Sequence, residues 1–161
     1  MTTASLADYK TPRPWLILAA FIVVVVAVGG LIGTQSLPGA WYQNLNKPPF
    51  NPPNWIFGPV WFTLYVMIAI AGWRIFMIDA RSTAMKVWYA QMILNWAWSP
   101  IWFKAQLIWP AFAVIVLIWL AIIGFIVTAR KLDRPAAWLF VPYLAWVSFA
   151  SLLNLSIGIL N

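Results

Sequence analysis

The sequence has no cysteine and no histidine. That excludes disulfides, a zinc site, His-ligated haem and any Ser-His-Asp or Cys-His nucleophile. Glutamate is absent too, and Asp8, Asp79 and Asp133 are the only acids. A buried carboxylate pair for glycoside or proton-coupled chemistry is therefore missing. Charge of either sign is scarce. Charged residues make up 8% of the 161 and hydrophobic residues 64%, against about 25% and roughly 45–50% in soluble domains. So few charges cannot supply a polar skin, and the chain reads as a membrane protein. What it has in abundance is aromatic: 13 Trp, 10 Phe and 5 Tyr.

The net charge of +7 does not point to nucleic acid, because Lys and Arg come a few at a time between long apolar runs. Five such runs, at about 15–33, 55–78, 85–103, 107–128 and 136–160, are long enough to span, given the ~20 apolar residues that a bilayer core demands. Backbone polar groups in lipid must be satisfied within the segment, and the period-2 alternation of a β-barrel is absent. The reading is a single all-α domain over 1–161, a five-transmembrane-helix bundle. The first run follows a polar arm with Asp8, Lys10 and Arg13 and is long for a signal peptide, so it reads as a retained helix.

Five spans put the termini on opposite sides. Eight of the ten Lys and Arg then share one side (Lys10, Arg13, Arg74, Arg81, Lys86, Arg130, Lys131, Arg134), leaving Lys47 and Lys104 on the other. The positive-inside rule places the N-terminus in the cytoplasm and the C-terminus outside. Helical spans favour a bacterial inner membrane over an outer one. Most connections are short, but 34–54 is long and holds Pro38, Pro48, Pro49, Pro52 and Pro53. Its Trp41, Tyr42, Leu45 and Phe50 argue against disorder. This Pro/Trp-rich loop is expected to fold over one mouth of the bundle as a lid.

Intramembrane polar residues are the first place to seek function. Gln91, Asn95 and Trp98 fall on one face of the third helix; Tyr143, Trp146, Ala150 and Asn154 form a stripe on the fifth; Trp61 and Tyr65 are i, i+4 neighbours on the second. The two Asn residues could be interhelical glue, or these faces could converge on an aromatic cavity with few hydrogen-bonding groups. Trp15, Trp55, Trp73, Trp88, Trp102, Trp109 and Trp138 lie near helix ends, where indoles form interfacial belts. Trp61, Trp96, Trp98, Trp119 and Trp146 are deeper. Gly29 and Gly33 form a small-xxx-small pair that permits close helix approach.

Three spaced motifs carry a resemblance. The first runs Trp41-Tyr42-x-x-Leu45-x-Lys47-Pro48-x-x-x-Pro52-Pro53-x-Trp55, then Gly58-Pro59-Val60-Trp61-x-Thr63-Leu64-Tyr65. The second is Gln91-x-x-Leu94-Asn95-Trp96-Ala97-Trp98-x-Pro100-Ile101-x-Phe103. The third is Val141-Pro142-Tyr143-Leu144-Ala145-Trp146-x-x-Phe149-Ala150-x-x-Leu153-Asn154. Together they resemble the tryptophan-rich sensory protein / translocator protein (peripheral benzodiazepine receptor) family. The resemblance implies a homodimeric receptor or sensor that binds tetrapyrroles such as protoporphyrin IX under the first loop. It implies no cofactor or metal beyond that ligand, with the lipid bilayer as surroundings and drug-like or sterol molecules as further ligands.

The ligand-binding candidates are Trp41, Trp61, Tyr65, Asn95, Trp98, Tyr143, Trp146, Ala150 and Asn154. The family's sterol pattern at the end of helix five needs a Tyr followed by Lys or Arg, and Leu155 to Asn161 has neither. Two other readings differ in class. One is an enzyme breaking down porphyrin with light and oxygen through Trp61 and Trp146. The other is a secondary transporter of porphyrins or sterols, for which an intramembrane carboxylate or broken helix is the usual mark.

Overall fold

Proline and short polar side chains mark the breaks between helices in the computed structural model of this chain, which describes residues 12–161. Asp8 and Lys10 of the polar arm lie outside them. The elements are α1 (Pro12–Gln35), α2 (Ala40–Asn44), a 3-10 turn (Asn54–Ile56), α3 (Phe57–Asp79), α4 (Thr83–Ser99), a π turn (Pro100–Lys104), α5 (Ile108–Ala129), α6 (Arg134–Leu139) and α7 (Val141–Leu160). Ser82 caps α4 by accepting the Met85 N–H at 3.2 Å, and Asp133 caps α6 by accepting the Ala136 N–H at 3.1 Å. Each satisfies a backbone donor that the first helical turn leaves open.

Pro100 has no N–H to continue the ladder of α4, and the chain widens there into a π turn. Its carbonyl accepts the Ala105 N–H at 2.9 Å. Gln106 then takes φ 57°, the left-handed conformation that ends the segment. The last apolar run also differs from the sequence reading. Read as one helix over 136–160, it breaks at Phe140 into α6 and α7. Pro142 explains the break, since it offers no donor to the Trp138 carbonyl and its ring crowds that position.

α1 packs on α3, α4 on α5 and α5 on α7, while α6 wedges against α3 and α5. At one end, Trp73 Nε1 donates to the Pro14 carbonyl at 3.0 Å, and Arg74 Nη2 donates to Asp133 Oδ1 at 3.0 Å. At the other end, Lys104 Nζ donates to Gln35 Oε1 at 3.4 Å. Successive long helices therefore run antiparallel. Among the described residues, four helical segments are long and apolar enough to cross a membrane: Arg13–Gln35, Asn54–Asp79, Ile108–Ala129 and Arg134–Leu160. The five-span count is met only in part. α4 has 17 residues and carries Gln91 and Asn95, so it falls short in length and apolarity.

Three of the expected belt tryptophans are core residues. Trp73, Trp88 and Trp102 are 5%, 5% and 2% exposed, whereas Trp15, Trp55, Trp109 and Trp138 do face outward. Gly72 makes the room for Trp88: a Cβ there would stand 2.4 Å from Trp88 Cε2. The indole fills that space and donates Nε1–H to the Ile68 carbonyl at 2.9 Å.

Candidate functional site

α4 places Gln91 and Asn95 one turn apart, 0% and 5% exposed. A chain of hydrogen bonds runs through them. Tyr65 OH donates to Asn95 Oδ1 at 3.1 Å, and Asn95 Nδ2 donates to Tyr143 OH at 2.7 Å. Tyr143 OH in turn donates to Gln91 Oε1 at 3.1 Å. This polar spine ties α3, α4 and α7 together where lipid and apolar side chains offer no substitute partners. Gln91 Nε2, at its end, has no partner. α1 supports the other end, because a Cβ on Gly29 would lie 2.4 Å from Tyr65 Cε2. Gly29 thus serves packing within the chain, while a Cβ on Gly33 meets nothing within 4 Å.

Aromatic rings surround the spine. Trp61 lies 5.4 Å from Tyr65 and 6.3 Å, edge to face, from Tyr143. Trp146 lies 5.7 Å from both Phe57 and Phe149. Between α3 and α7 a cleft of about 610 Å³ opens, lined by Pro59, Val60, Thr63, Leu64 and Met67 on one side and Pro142, Ala145, Trp146 and Phe149 on the other. The Trp146 indole N–H is buried and has no partner.

A second aromatic cluster lies toward the Gln35 end. Trp98 and Trp102 stack at 5.8 Å with 10° between planes, and Trp41 meets Trp102 edge-on at 5.8 Å. Trp98 Nε1 donates to Asn154 Oδ1 at 3.4 Å, and Asn154 Nδ2 donates to the Ile108 carbonyl at 3.4 Å. Tyr42 packs on Phe103 at 5.5 Å and its hydroxyl donates to Asn51 Oδ1 at 3.2 Å. Burial pushes the Tyr42 phenol pKa up, so it stays a neutral donor. Segment 36–56 is tied to the end of α7. Asn46 N–H donates to Asn161 Oδ1 at 2.9 Å, and Asn161 Nδ2 donates to the Asn46 carbonyl at 3.0 Å.

The candidates from the sequence thus fall into groups. Tyr65, Asn95 and Tyr143 are joined in the spine with Trp61 against it. Trp146 alone of them lines the cleft. Trp41, Trp98 and Asn154 belong to the outer cluster, and Ala150 packs half-buried on the main core. Gln91 was on the right face but outside the candidate set. Pro142, Ala145 and Phe149 were missed, although with Trp146 they recur at i, i+3, i+4 and i+7, a helical face visible in the sequence.

Chemically, the cleft offers apolar walls, one of them an indole ring, with the Trp146 N–H buried behind the surface. Among the described residues no group of His, Cys, Asp or Glu could hold a metal. Fold and interior together define a multi-pass helical membrane protein with an aromatic core. Residues 18–160 match the TspO/MBR family, and the chain belongs to it. It is 35% identical to the tryptophan-rich sensory protein of Cereibacter sphaeroides over 145 residues, 89% of this chain and 92% of that one. Tryptophan-rich protein TspO of Chlorobaculum tepidum is 37% identical over 91% of this chain and 96% of its own. The translocator protein of Ovis aries is 35% identical over 88% of each.

Proposed function

We propose that this chain is an integral membrane receptor or sensor that binds a tetrapyrrole, protoporphyrin IX or a close relative, between α3 and α7. The observation that carries the reading is the cleft of about 610 Å³ between α3 and α7, with apolar walls that include Trp146. Its size falls within the ~300–1,000 Å³ of small-molecule sites, and its lining is of their kind: apolar, with few polar groups. A porphyrin is a flat apolar disc with two carboxylates at one edge. An indole can stack on the disc. With neither His nor Cys in the sequence, strong axial ligands are lacking and a metal-free ring is the natural guest. The relatives named for sensing and translocation are in keeping with this.

In the same proposal α4 is the fifth span. With its π turn it runs from Thr83 to Lys104, roughly 30 Å at ~1.5 Å per residue. The N-terminus is cytoplasmic, the membrane is a bacterial inner membrane, the unit is a homodimer, and segment 36–56 is a lid. Fluorescence titration of the purified protein with protoporphyrin IX tests the reading. We expect saturable 1:1 binding, weakened roughly 10–100-fold in Trp146→Ala, the loss of one stacked ring at ~1–3 kcal/mol. Absence of saturable binding, or unchanged affinity in folded Trp146→Ala, would overturn it.

A further inference from the structure

The turn joining α5 to α6 carries three exposed cations, Arg130, Lys131 and Arg134. The one acid among them, Asp133, is turned inward. Its carboxylate accepts from Arg74 and from the Ala136 N–H, leaving its side chain 12% exposed. The acid therefore does not neutralise the cations at the surface. Trp138, one helical turn beyond Arg134, is 70% exposed and Leu132 is 38% exposed, while Ala136 and Ala137 on the inner side of α6 are 0% and 5%. Cations and apolar side chains thus project outward from one corner.

The two cations at the opposite end are engaged within the protein. Lys47 Nζ donates to the carbonyls of Gln43 and Leu45 at 2.9 and 3.0 Å, and Lys104 Nζ donates to Gln35 Oε1 at 3.4 Å. The bond from Trp73 to Pro14 brings exposed Arg13 to the same end as the α5–α6 corner, and Arg81 and Lys86 follow α3 there. Uncommitted positive charge is therefore gathered at one end.

We propose that the α5–α6 corner is a binding surface for an anionic phospholipid headgroup. Arg130, Lys131 and Arg134 hold the phosphate, and Trp138 and Leu132 sit at the boundary between headgroup and acyl chain. Guanidinium and ammonium groups attract anionic lipid within a Debye length of the surface. Indole is the side chain that prefers that boundary. Turning Asp133 inward onto Arg74 is what leaves the three charges additive.

Quenching of tryptophan fluorescence by brominated lipids reads this contact in the full-length protein reconstituted in vesicles. The quenching that disappears in Trp138→Phe is the signal of the corner. We expect brominated phosphatidylglycerol to outcompete brominated phosphatidylcholine there by about tenfold. The preference should vanish in the triple variant Arg130→Gln, Lys131→Gln, Arg134→Gln and persist in Arg81→Gln, Lys86→Gln. In the unsubstituted protein it should collapse at about 1 M salt, where the Debye length is ~3 Å. No preference in the parent protein, or one that ignores salt, overturns the proposal whether or not the variants fold. So does a preference that survives the triple variant, or one that falls equally in the Arg81, Lys86 variant.

Discussion

Trp146 and Trp61 occupy different surroundings despite equal prominence in the sequence. Trp146 lines the cleft, whereas Trp61 leans on Tyr65 and Tyr143 at the spine. If Trp146 acts as a wall and Trp61 as packing, Trp61→Phe and Trp146→Phe should keep porphyrin binding within about threefold, since Phe retains an aromatic face. Porphyrin bleaching under light in air should then match the parent protein. Selective loss of light-driven change in either variant would instead mark a redox role, because benzene is much harder to oxidise than indole. Gly29 supports a sharper expectation. Alanine there drives a Cβ into the Tyr65 ring, an overpacking of ~1–3 kcal/mol. Thermal denaturation in detergent should show Gly29→Ala destabilised and Gly30→Ala unchanged or slightly stabilised, since a Cβ on Gly30 meets nothing within 4 Å and Ala suits a helix interior better than Gly.

At the scale of elements, the clasp between segment 36–56 and α7 includes two bonds of the Asn161 side chain to the Asn46 backbone, beside one from Asn46 Nδ2 to the Leu160 carbonyl at 3.2 Å. Each such bond contributes ~0.5–1.5 kcal/mol net. If the segment is a lid over bound porphyrin, Asn161→Ala should raise the off-rate about 5–10-fold, leaving the on-rate nearly unchanged. Stopped-flow fluorescence separates the two, and an unaltered residence time would make the segment a spectator. The prolines show what sequence can and cannot say about elements. Pro100 lies inside the run read as 85–103, close to its end, so the π turn that begins there was only weakly legible. Pro142 lies inside a run apolar on both sides, so composition concealed the break that its missing donor imposes. Burial of Trp73 and Trp88 was not legible either, because it depends on partners on other helices: Pro14 for one, Gly72 and Ile68 for the other. The pairing of Gln91 with Asn95 on one face follows from helical spacing, but the choice of Tyr65 and Tyr143 as partners is tertiary.

For the whole molecule, the hydrogen bonds between helix ends sort the connections into two groups without reference to charge. Trp73 with Pro14 and Arg74 with Asp133 mark one end; Lys104 with Gln35 and Asn46 with Asn161 mark the other. Among the described residues the same division separates seven Lys and Arg from two, which is why the proposed orientation has the first end in the cytoplasm. The chain lacks cysteine, so single-cysteine variants can map it cleanly. Lys104→Cys should react with a membrane-impermeant maleimide in intact cells, and Arg81→Cys only after lysis; the reverse pattern would invert the orientation.

The stacked pair Trp98 and Trp102, with Trp41 against it, has an optical consequence. Rings whose centroids lie 5.8 Å apart exchange excitation faster than they emit, so a photon absorbed by one indole is not emitted by that indole alone. Emission from this cluster loses the polarisation of the exciting light even where the rings are held still. A chromophore bound near one tryptophan would therefore drain light from several, and the depth of quenching in a titration measures how far excitation travels as well as how many sites are filled.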